Sequence, residues 1–276
     1  MTGFELGARA RAAGYRLQAH DSIGSTNADA LAAGFAGDPG GLWIVARQQT
    51  AGRGRRGRPW SSPHGNLAAS LLLLPEADAA VAATLGFVAG VALSRALAEV
   101  LPRGLVRIGI DGADAADGSG RVALKWPNDM LADGAKLAGI LLESGKTGDG
   151  RQAIVVGIGI NVVAAPDGLP YPATSIAGLG ISRSAEQVFE SLSDAWVDAF
   201  SLWNEGRGVP AVLEQWRGAA AGIGAPVAVT QDGETIRGVF ETIDELGRLI
   251  VRANDNRRIA ITAGDVHFGA TASALS

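Results

Sequence analysis

The 276-residue chain contains no cysteine. Disulfides, thiolate zinc sites and cysteine nucleophiles are therefore excluded, and the composition fits a reducing cytoplasm. A basic bias is also missing: 24 Lys and Arg against 28 Asp and Glu give a net charge of −4. General nucleic-acid binders usually carry a basic domain, so this balance argues against that class. The three histidines, His20, His64 and His267, are scattered and lack metal-ligand spacing. The opening MTGFELGARARAAG has no long apolar core and does not read as a secretory signal. The most apolar long segment, Ala79 to Leu93, is shorter than the roughly 20 residues needed to span a bilayer. Ser94 and Arg95 follow it. A protein that does not engage a membrane is expected. At 47% hydrophobic residues, the chain can bury a core of one large and one small domain, or two modest ones.

Against this background the stretch Gln49 to Trp60, QTAGRGRRGRPW, is distinctive. It holds Arg53, Arg55, Arg56 and Arg58, with glycines at 52, 54 and 57. Glycines let a backbone approach a ligand closely. Arginines are permanent, planar cations suited to phosphate and carboxylate. The stretch fits neither a helical nor a strand period, so a loop is expected between strands at Leu42–Ala46 and Leu67–Leu74. An anion clamp, a nucleic-acid patch and a solvated charged turn are all compatible with it in isolation.

Upstream, Tyr15–His20 reads as a short strand and Ala28–Ala33 as a helix. Thr26 and Asp29 have capping-box spacing. Ser25, Thr26 and Asn27 would then be helix caps, or hydrogen-bonding groups for a polar ligand at that helix end. Glu76–Leu101 reads as one long helix with Leu85, Val88, Ala92, Leu93, Ala96 and Leu97 on its apolar face, stopped by Pro102. Val106–Ile110 and Val122–Leu124 are strand-like, and Asp111–Gly120 between them reads as an exposed excursion, not a calcium loop. KWPND, Lys125 to Asp129, precedes strands at Met130–Ala132 and Lys136–Ser144 joined at Asp133-Gly134. Ile154–Val163 is a buried strand whose Gly157 and Gly159 suggest close backbone approach. Helices follow at about Ser184–Glu205 and Pro210–Trp216. From about Ala221, short strands at Pro226–Gln231, Glu234–Ile243, Arg248–Arg252 and Arg257–Thr262 suggest a small antiparallel barrel.

Several polar groups thus sit at the ends of buried strands: the arginine loop, Lys125, Asn128, Asp129, Lys136 and Asn161. A lysine at such a mouth is costly without an anionic partner, although one lysine alone can snorkel to water. Two lysines with four arginines favour an anion with several charges, such as a nucleotide. Asp129 is a candidate Mg²⁺ ligand, or a turn-closing residue after Pro127.

GRGRRGRPW, KWPND, KLAGILLE and GIGINV, in that order and with STN near the start, resemble the biotin protein ligase family. The resemblance runs from about Ser22 to the C-terminus. It implies an α+β fold: a mixed, largely antiparallel sheet with helices packed on it, of the class II synthetase-like kind, in residues 1–220, and an SH3-like β-barrel in 221–276. It implies two steps with biotin and ATP as substrates and Mg²⁺ as cofactor. Biotinyl-5′-AMP forms with release of pyrophosphate, then biotin passes to a lysine of a biotin carboxyl carrier protein. By motif, Ser25, Thr26, Asn27 and Gln49 would hold the biotin ring, with Gly139 of KLAGILLE beside it. Arg53, Gly54 and Arg55 would contact biotin and cover the adenylate. Arg56 and Arg58 would face phosphates, and Trp60 would pack on adenine, or else serve as a strand-end core residue. Lys136 would contact the reacting carboxylate and phosphate. Lys125, Asn128 and Asn161 would face the nucleotide, and Asp129 the metal. Family members that repress transcription carry an N-terminal helix-turn-helix module, and about 20 residues before STN are too few for one. A ligase without DNA binding is therefore expected. The family also implies a homodimer through paired edge strands, with Leu137–Leu142 as a candidate. The alternatives are a lipoate–protein ligase with the same adenylation chemistry, a biotin-sensing DNA regulator, and a catalytically silent binding protein.

Overall fold

The computed structural model describes residues 3–102, 107–108, 121–231 and 233–268. The excursion expected at Asp111–Gly120 lies outside the described residues, as does Asp232 of the expected turn at 232–233. The main body is an eight-stranded sheet in the order β1-β2-β3-β8-β7-β6-β5-β4. Its strands are β1 (Arg16–Ile23), β2 (Leu42–Gln49), β3 (Leu67–Leu73), β4 (Arg107–Ile108), β5 (Arg121–Lys125), β6 (Asp129–Ala132), β7 (Ala135–Lys146) and β8 (Gln152–Ile160). The β1–β2 and β4–β5 pairs are parallel and the other neighbours antiparallel, so the sheet is mixed as expected.

Side-chain alternation explains how this sheet is covered on both faces. Trp43 and Val45 of β2, and Leu67, Ala69, Leu71 and Leu73 of β3, enter the larger core. That core is filled by α1 (Ala8–Ala12), α4 (Leu85–Val100), α5 (Ala185–Trp203) and α6 (Val209–Gly218). Trp43 meets Phe189 and Trp196 of α5 edge-on, at 5.6 and 6.1 Å between ring centroids. Leu42, Ile44 and Leu72 alternate to the opposite face, where they join Ala30 of α2 (Thr26–Phe35) in a smaller core. Burying each large apolar side chain contributes roughly 1.5–3 kcal/mol.

The same alternation opens a trough. On β8, Ile154, Val156, Ile158 and Ile160 fill the larger core. Ala153 and Val155 pack toward α2. Gly157 and Gly159 then continue that second face past the helix start with no side chain at all.

Three expectations need correction. The helix expected over Glu76–Leu101 is broken into α3 (Ala79–Ala82), capped by Asp78, and α4, with the break at Ala83–Thr84. There Thr84 Oγ1 donates to Val81 O and accepts from Trp203 Nε1 at 2.8 Å, a tertiary contact invisible in local periodicity. The stretch Ala79–Val100 is 22 residues, long enough by length for a bilayer, so burial and not length is what marks it as core. At α2 the cap is Ser25, whose hydroxyl accepts from Ala28 N, rather than Thr26. Finally, the edge expected at Leu137–Leu142 is covered in part: β6 pairs with β7 from Ala135 to Gly139, and beyond that, among the described residues, β8 is the one strand neighbour of β7; the outermost strands are β1 and β4.

Residues 226–268 form a five-stranded antiparallel sheet in the order β12-β11-β10-β9-β13. Its strands are β9 (Pro226–Gln231), β10 (Glu234–Ile243), β11 (Leu249–Arg252), β12 (Arg258–Ile261) and the unforeseen β13 (Asp265–Phe268). Trp126 of KWPND is fully buried and donates its indole N–H to Gly247 O at 2.8 Å, fastening this sheet to the main body.

Candidate active site

The expected loop after β2 is ordered by its own backbone. Gly54 N donates to Arg58 O at 2.7 Å and Trp60 N to Gly52 O at 3.0 Å, with a bridge between Arg53 and Pro59. Arg56 and Gly57 take positive φ of 56° and 71° at the tip. Such a turn fans the arginines outward because successive side chains leave the backbone in different directions.

The four arginines meet three partners, Arg56 and Arg58 sharing one. Arg53 Nη1 stands 3.9 Å from Glu143 Oε1. Arg58 donates to Asp265 Oδ2 at 2.7 Å, and Arg56 Nη1 lies 3.6 Å from the same oxygen. Burial alone would raise the Asp265 carboxyl, but the hydrogen bond from Arg58 and the charges of Arg58, Arg56 and Arg55 outweigh it and hold its pKa low. Arg55 differs: it donates to neutral Asn128 Oδ1 at 2.9 Å, and among the described residues it makes no ion pair. Burial lowers its pKa, an effect opposed by Asp129. Asn128 is itself tied to β7 through Ile140, donating to its O and accepting from its N, both at 2.8 Å.

KWPND places Lys125 and Asp129 as partners across the β5–β6 turn, and the β6–β7 hairpin returns Lys136 beside them. Asp133 and Gly134 turn that hairpin with φ of 49° and 77°. Lys136 Nζ pairs with Asp129 Oδ1 at 2.7 Å and lies over two rings, Trp60 at 5.4 Å and Tyr171 at 5.5 Å from the centroids. A cation held by one carboxylate between two aromatic faces is fixed in position and still able to meet an anion. Lys125 has no ion-pair partner among the described residues. Burial pushes its pKa down, Asp129 opposes that shift and Lys136 reinforces it.

Trp60 lies flat on the glycines of the sheet. A Cβ at Gly139 would come within 3.2 Å of its ring, and one at Gly159 within 2.6 Å. A cleft of about 510 Å³ opens here, walled by Gln49, Trp60, Ser62, Lys136, Asn161 and Tyr171 among others. Arg53, Arg55, Arg56 and Arg58 stand outside that wall, at the side of the cleft. Asn161 is buried and donates to Thr174 O at 3.0 Å; its Oδ1 has no hydrogen-bond partner. An orphaned buried acceptor in a cavity wall suits an N–H of a ligand.

At the other end, Gln49 Oε1 accepts from Thr26 N at 2.8 Å and Thr26 Oγ1 at 3.1 Å. Ser70 donates to Thr26 Oγ1 or Asn27 Oδ1, and Asn27 donates to Glu143 Oε2 at 2.8 Å. Of the residues singled out in the sequence, Gln49, Trp60, Lys136 and Asn161 line the cleft. Thr26 is joined to it through Gln49 and Asp129 through Lys136, while Arg55 and Asn128 pair with each other outside its wall. Ser25, Asn27, Lys125 and Gly139 are also outside that wall. Sequence reasoning missed Ser70, Glu143, Tyr171 and Asp265. Ser70 and Glu143 carried a signal, as a hydroxyl and a carboxylate within apolar strands, but Tyr171 and Asp265 carried none.

Asp265→Asn tests the clasp between the loop and β13. Both partners are partly exposed, so the pair is worth at most about 1 kcal/mol. The expected result is a modest rise, up to about fivefold, in the rate at which protease cuts the arginine loop, with an unchanged melting midpoint.

An arginine loop, two lysines and a carboxylate converging on a glycine-floored cleft equip an enzyme that brings anionic reactants together. Residues 21–161 match the model of the biotin/lipoate A/B protein ligase family, and residues 222–269 that of the biotin protein ligase C-terminal domain. A biotin–[acetyl-CoA-carboxylase] ligase of Paracoccus denitrificans is 40% identical over 256 residues, 89% of this chain and 97% of the relative. A Leishmania major biotin protein ligase, solved with biotinyl-5-AMP, is 27% identical with a TM-score of 0.56 and 90% and 98% coverage. An Aquifex aeolicus biotin protein ligase, solved with biotin and ATP, shares the fold, with a TM-score of 0.72, 23% identity and 92% and 99% coverage. The chain belongs to the biotin/lipoate A/B protein ligase family.

Proposed function

We infer that the chain is a biotin–protein ligase. Biotin's carboxylate oxygen attacks the α-phosphorus of ATP and pyrophosphate leaves. A lysine amine of a biotin carboxyl carrier protein, such as that of acetyl-CoA carboxylase, then attacks the acyl carbon of the mixed anhydride and AMP leaves. The observation that carries this reading is Lys136, held over Trp60 at the centre of the trough and flanked by the otherwise unpaired cations Lys125 and Arg55. Two anions cannot be brought together without such compensation. The names of the relatives favour biotin over lipoate.

The residues divide the work along the trough. Ser25, Thr26, Asn27 and Gln49 orient the biotin ring, with Gly139 beneath it. Arg53, Gly54 and Arg55 contact biotin and shield the labile adenylate from water. Lys136 meets both the attacking carboxylate and the α-phosphate. Arg56 and Arg58 would trade Asp265 for pyrophosphate oxygens. Trp60 offers its face to adenine, and the free Oδ1 of Asn161 accepts a nucleotide N–H. Lys125 and Asn128 flank the phosphates.

A Mg²⁺ ion would neutralise phosphate charge. Among the described residues no group of three or more His, Asp or Glu side chains could hold an ion alone. Asp129 fits as a single protein carboxylate, the remaining ligands coming from the nucleotide and water, as is usual for Mg²⁺. The residues 1–220 form the catalytic domain and 221–276 the C-terminal domain, in a cytoplasmic enzyme.

Radiolabelled biotin transfer to a carrier domain tests the reading: label should appear on the carrier lysine only with ATP present, and lipoate should not replace biotin. Lipoate transfer without biotin transfer would overturn it. Alkaline pH gives a separate expectation. Lys125 is depressed below 10.5 by burial, so its charge is lost earlier than that of a free lysine as pH rises. The KM for ATP should therefore climb with pH before ordinary lysines titrate, and Lys125→Arg should flatten that climb. A climb of the same midpoint in Lys125→Arg would assign it elsewhere.

A further inference from the structure

Glu143 has no role in the scheme above, although it touches two residues that the scheme assigns to biotin, Asn27 and Arg53. On β7 it shares the face of Gly139, two residues beyond Leu141. Its side chain is only 25% exposed. Oε2 accepts from Asn27 Nδ2 at 2.8 Å, and Oε1 lies 3.9 Å from Arg53 Nη1. The Asn27 amide is anchored on its other side too, where Oδ1 accepts from Ser70 Oγ at 2.5 Å. A carboxylate can only accept, so it forces the NH₂ of Asn27 toward β7 and the oxygen toward Ser70. The chain leaves space for this arrangement: a Cβ at Gly157 would overlap the Asn27 amide.

We propose that Glu143 is a positioning residue for biotin recognition, holding the Asn27 amide and the Arg53 guanidinium in one arrangement. The start of α2 and the arginine loop belong to different parts of the chain. Their direct ties lie at the base of the loop, where Gln49 accepts from Thr26 and Ala51 N donates to Gly24 O at 2.8 Å. Those ties leave the Asn27 amide and the Arg53 guanidinium unlinked. Glu143 links these two side chains from the sheet beneath both, by a hydrogen bond to Asn27 and an ion pair to Arg53. Hydrogen bonds to ionised groups are the stronger kind. This inference rests on the biotin–protein ligase reading.

Biotin-dependent ATP–pyrophosphate exchange tests it. Glu143→Ala is expected to raise the KM for biotin about tenfold, the effect of losing a hydrogen bond to a charged group, with kcat within about twofold of wild type. Glu143→Gln, whose amide oxygen can still accept from Asn27, should recover to within about threefold. A purely structural role would instead lower the active fraction, hence kcat, and leave KM unchanged. A reciprocal pair removes dependence on the alanine variant folding. Asn27→Asp sets two carboxylates against each other and should weaken biotin at least as much, and adding Glu143→Gln restores a donor–acceptor pair and should lower the KM severalfold. A biotin KM for Glu143→Ala within twofold of wild type, or no relief of Asn27→Asp by Glu143→Gln, would overturn the proposal alone. Absence of biotin-dependent exchange in the wild type would overturn the ligase reading and this inference with it.

Discussion

Lys136→Ala is expected to reduce biotin-dependent pyrophosphate exchange by about 10²–10³-fold or more, the usual cost of removing a group aimed at developing charge. Lys136 is the point where the two ends of the trough meet. Its ammonium is 2.7 Å from Asp129 and sits over Trp60 and Tyr171. Its backbone is fixed independently, with Lys136 N donating to Pro172 O and Lys136 O accepting from Thr174 N. Truncation therefore removes the charge without disturbing the strand, and circular dichroism and the melting midpoint should stay close to wild type. Lys136→Arg should recover only part of the rate, because a planar fork does not reproduce a compact ammonium between two rings. Near-normal exchange by Lys136→Ala, in a folded protein, would remove Lys136 from the chemistry.

Gly159→Val should be nearly as damaging by a different route. A Cβ at Gly159 would come within 2.6 Å of the Trp60 indole, so the ring must leave the floor of the cleft. Displacement of that size in a site wall costs about 10²-fold in kcat/KM. Valine suits a strand, so the fold should survive. Gly148→Val, at an exposed position with no neighbouring atom within 4 Å of its Cβ, is the control and should behave as wild type. If Gly159→Val kept its kcat/KM for biotin and ATP within twofold, the ligands would not occupy the trough.

Much of this site was legible in the chain because its chemistry is local. The arginine loop, KWPND and the start of β7 each carry their polar residues within a few positions of a turn, and turns are readable from Gly, Pro, Asn and Asp. The strand glycines were legible as close approaches. What they approach, Trp60 and Asn27, required the fold. Glu143 and Asn27 are 116 positions apart and Arg58 and Asp265 are 207 apart, so neither pair leaves a local trace. Ser70 looks like a tolerated hydroxyl in LAASLLL until alternation on β3 turns it toward the start of α2. The break between α3 and α4 failed for the same reason. The partner of Thr84 is Trp203, on another helix, and no helix-breaking residue marks the place.

The most direct test of the central claim is ATP–pyrophosphate exchange with Mg²⁺, run with biotin, with lipoate and with neither. Exchange with biotin alone is the expected result, and it would establish that the trough activates a carboxylate by adenylation. Exchange with lipoate alone would keep the mechanism and contradict the substrate. No exchange with either, by a folded protein, would contradict the assignment of Lys136, Arg55 and Asp129 to chemistry altogether.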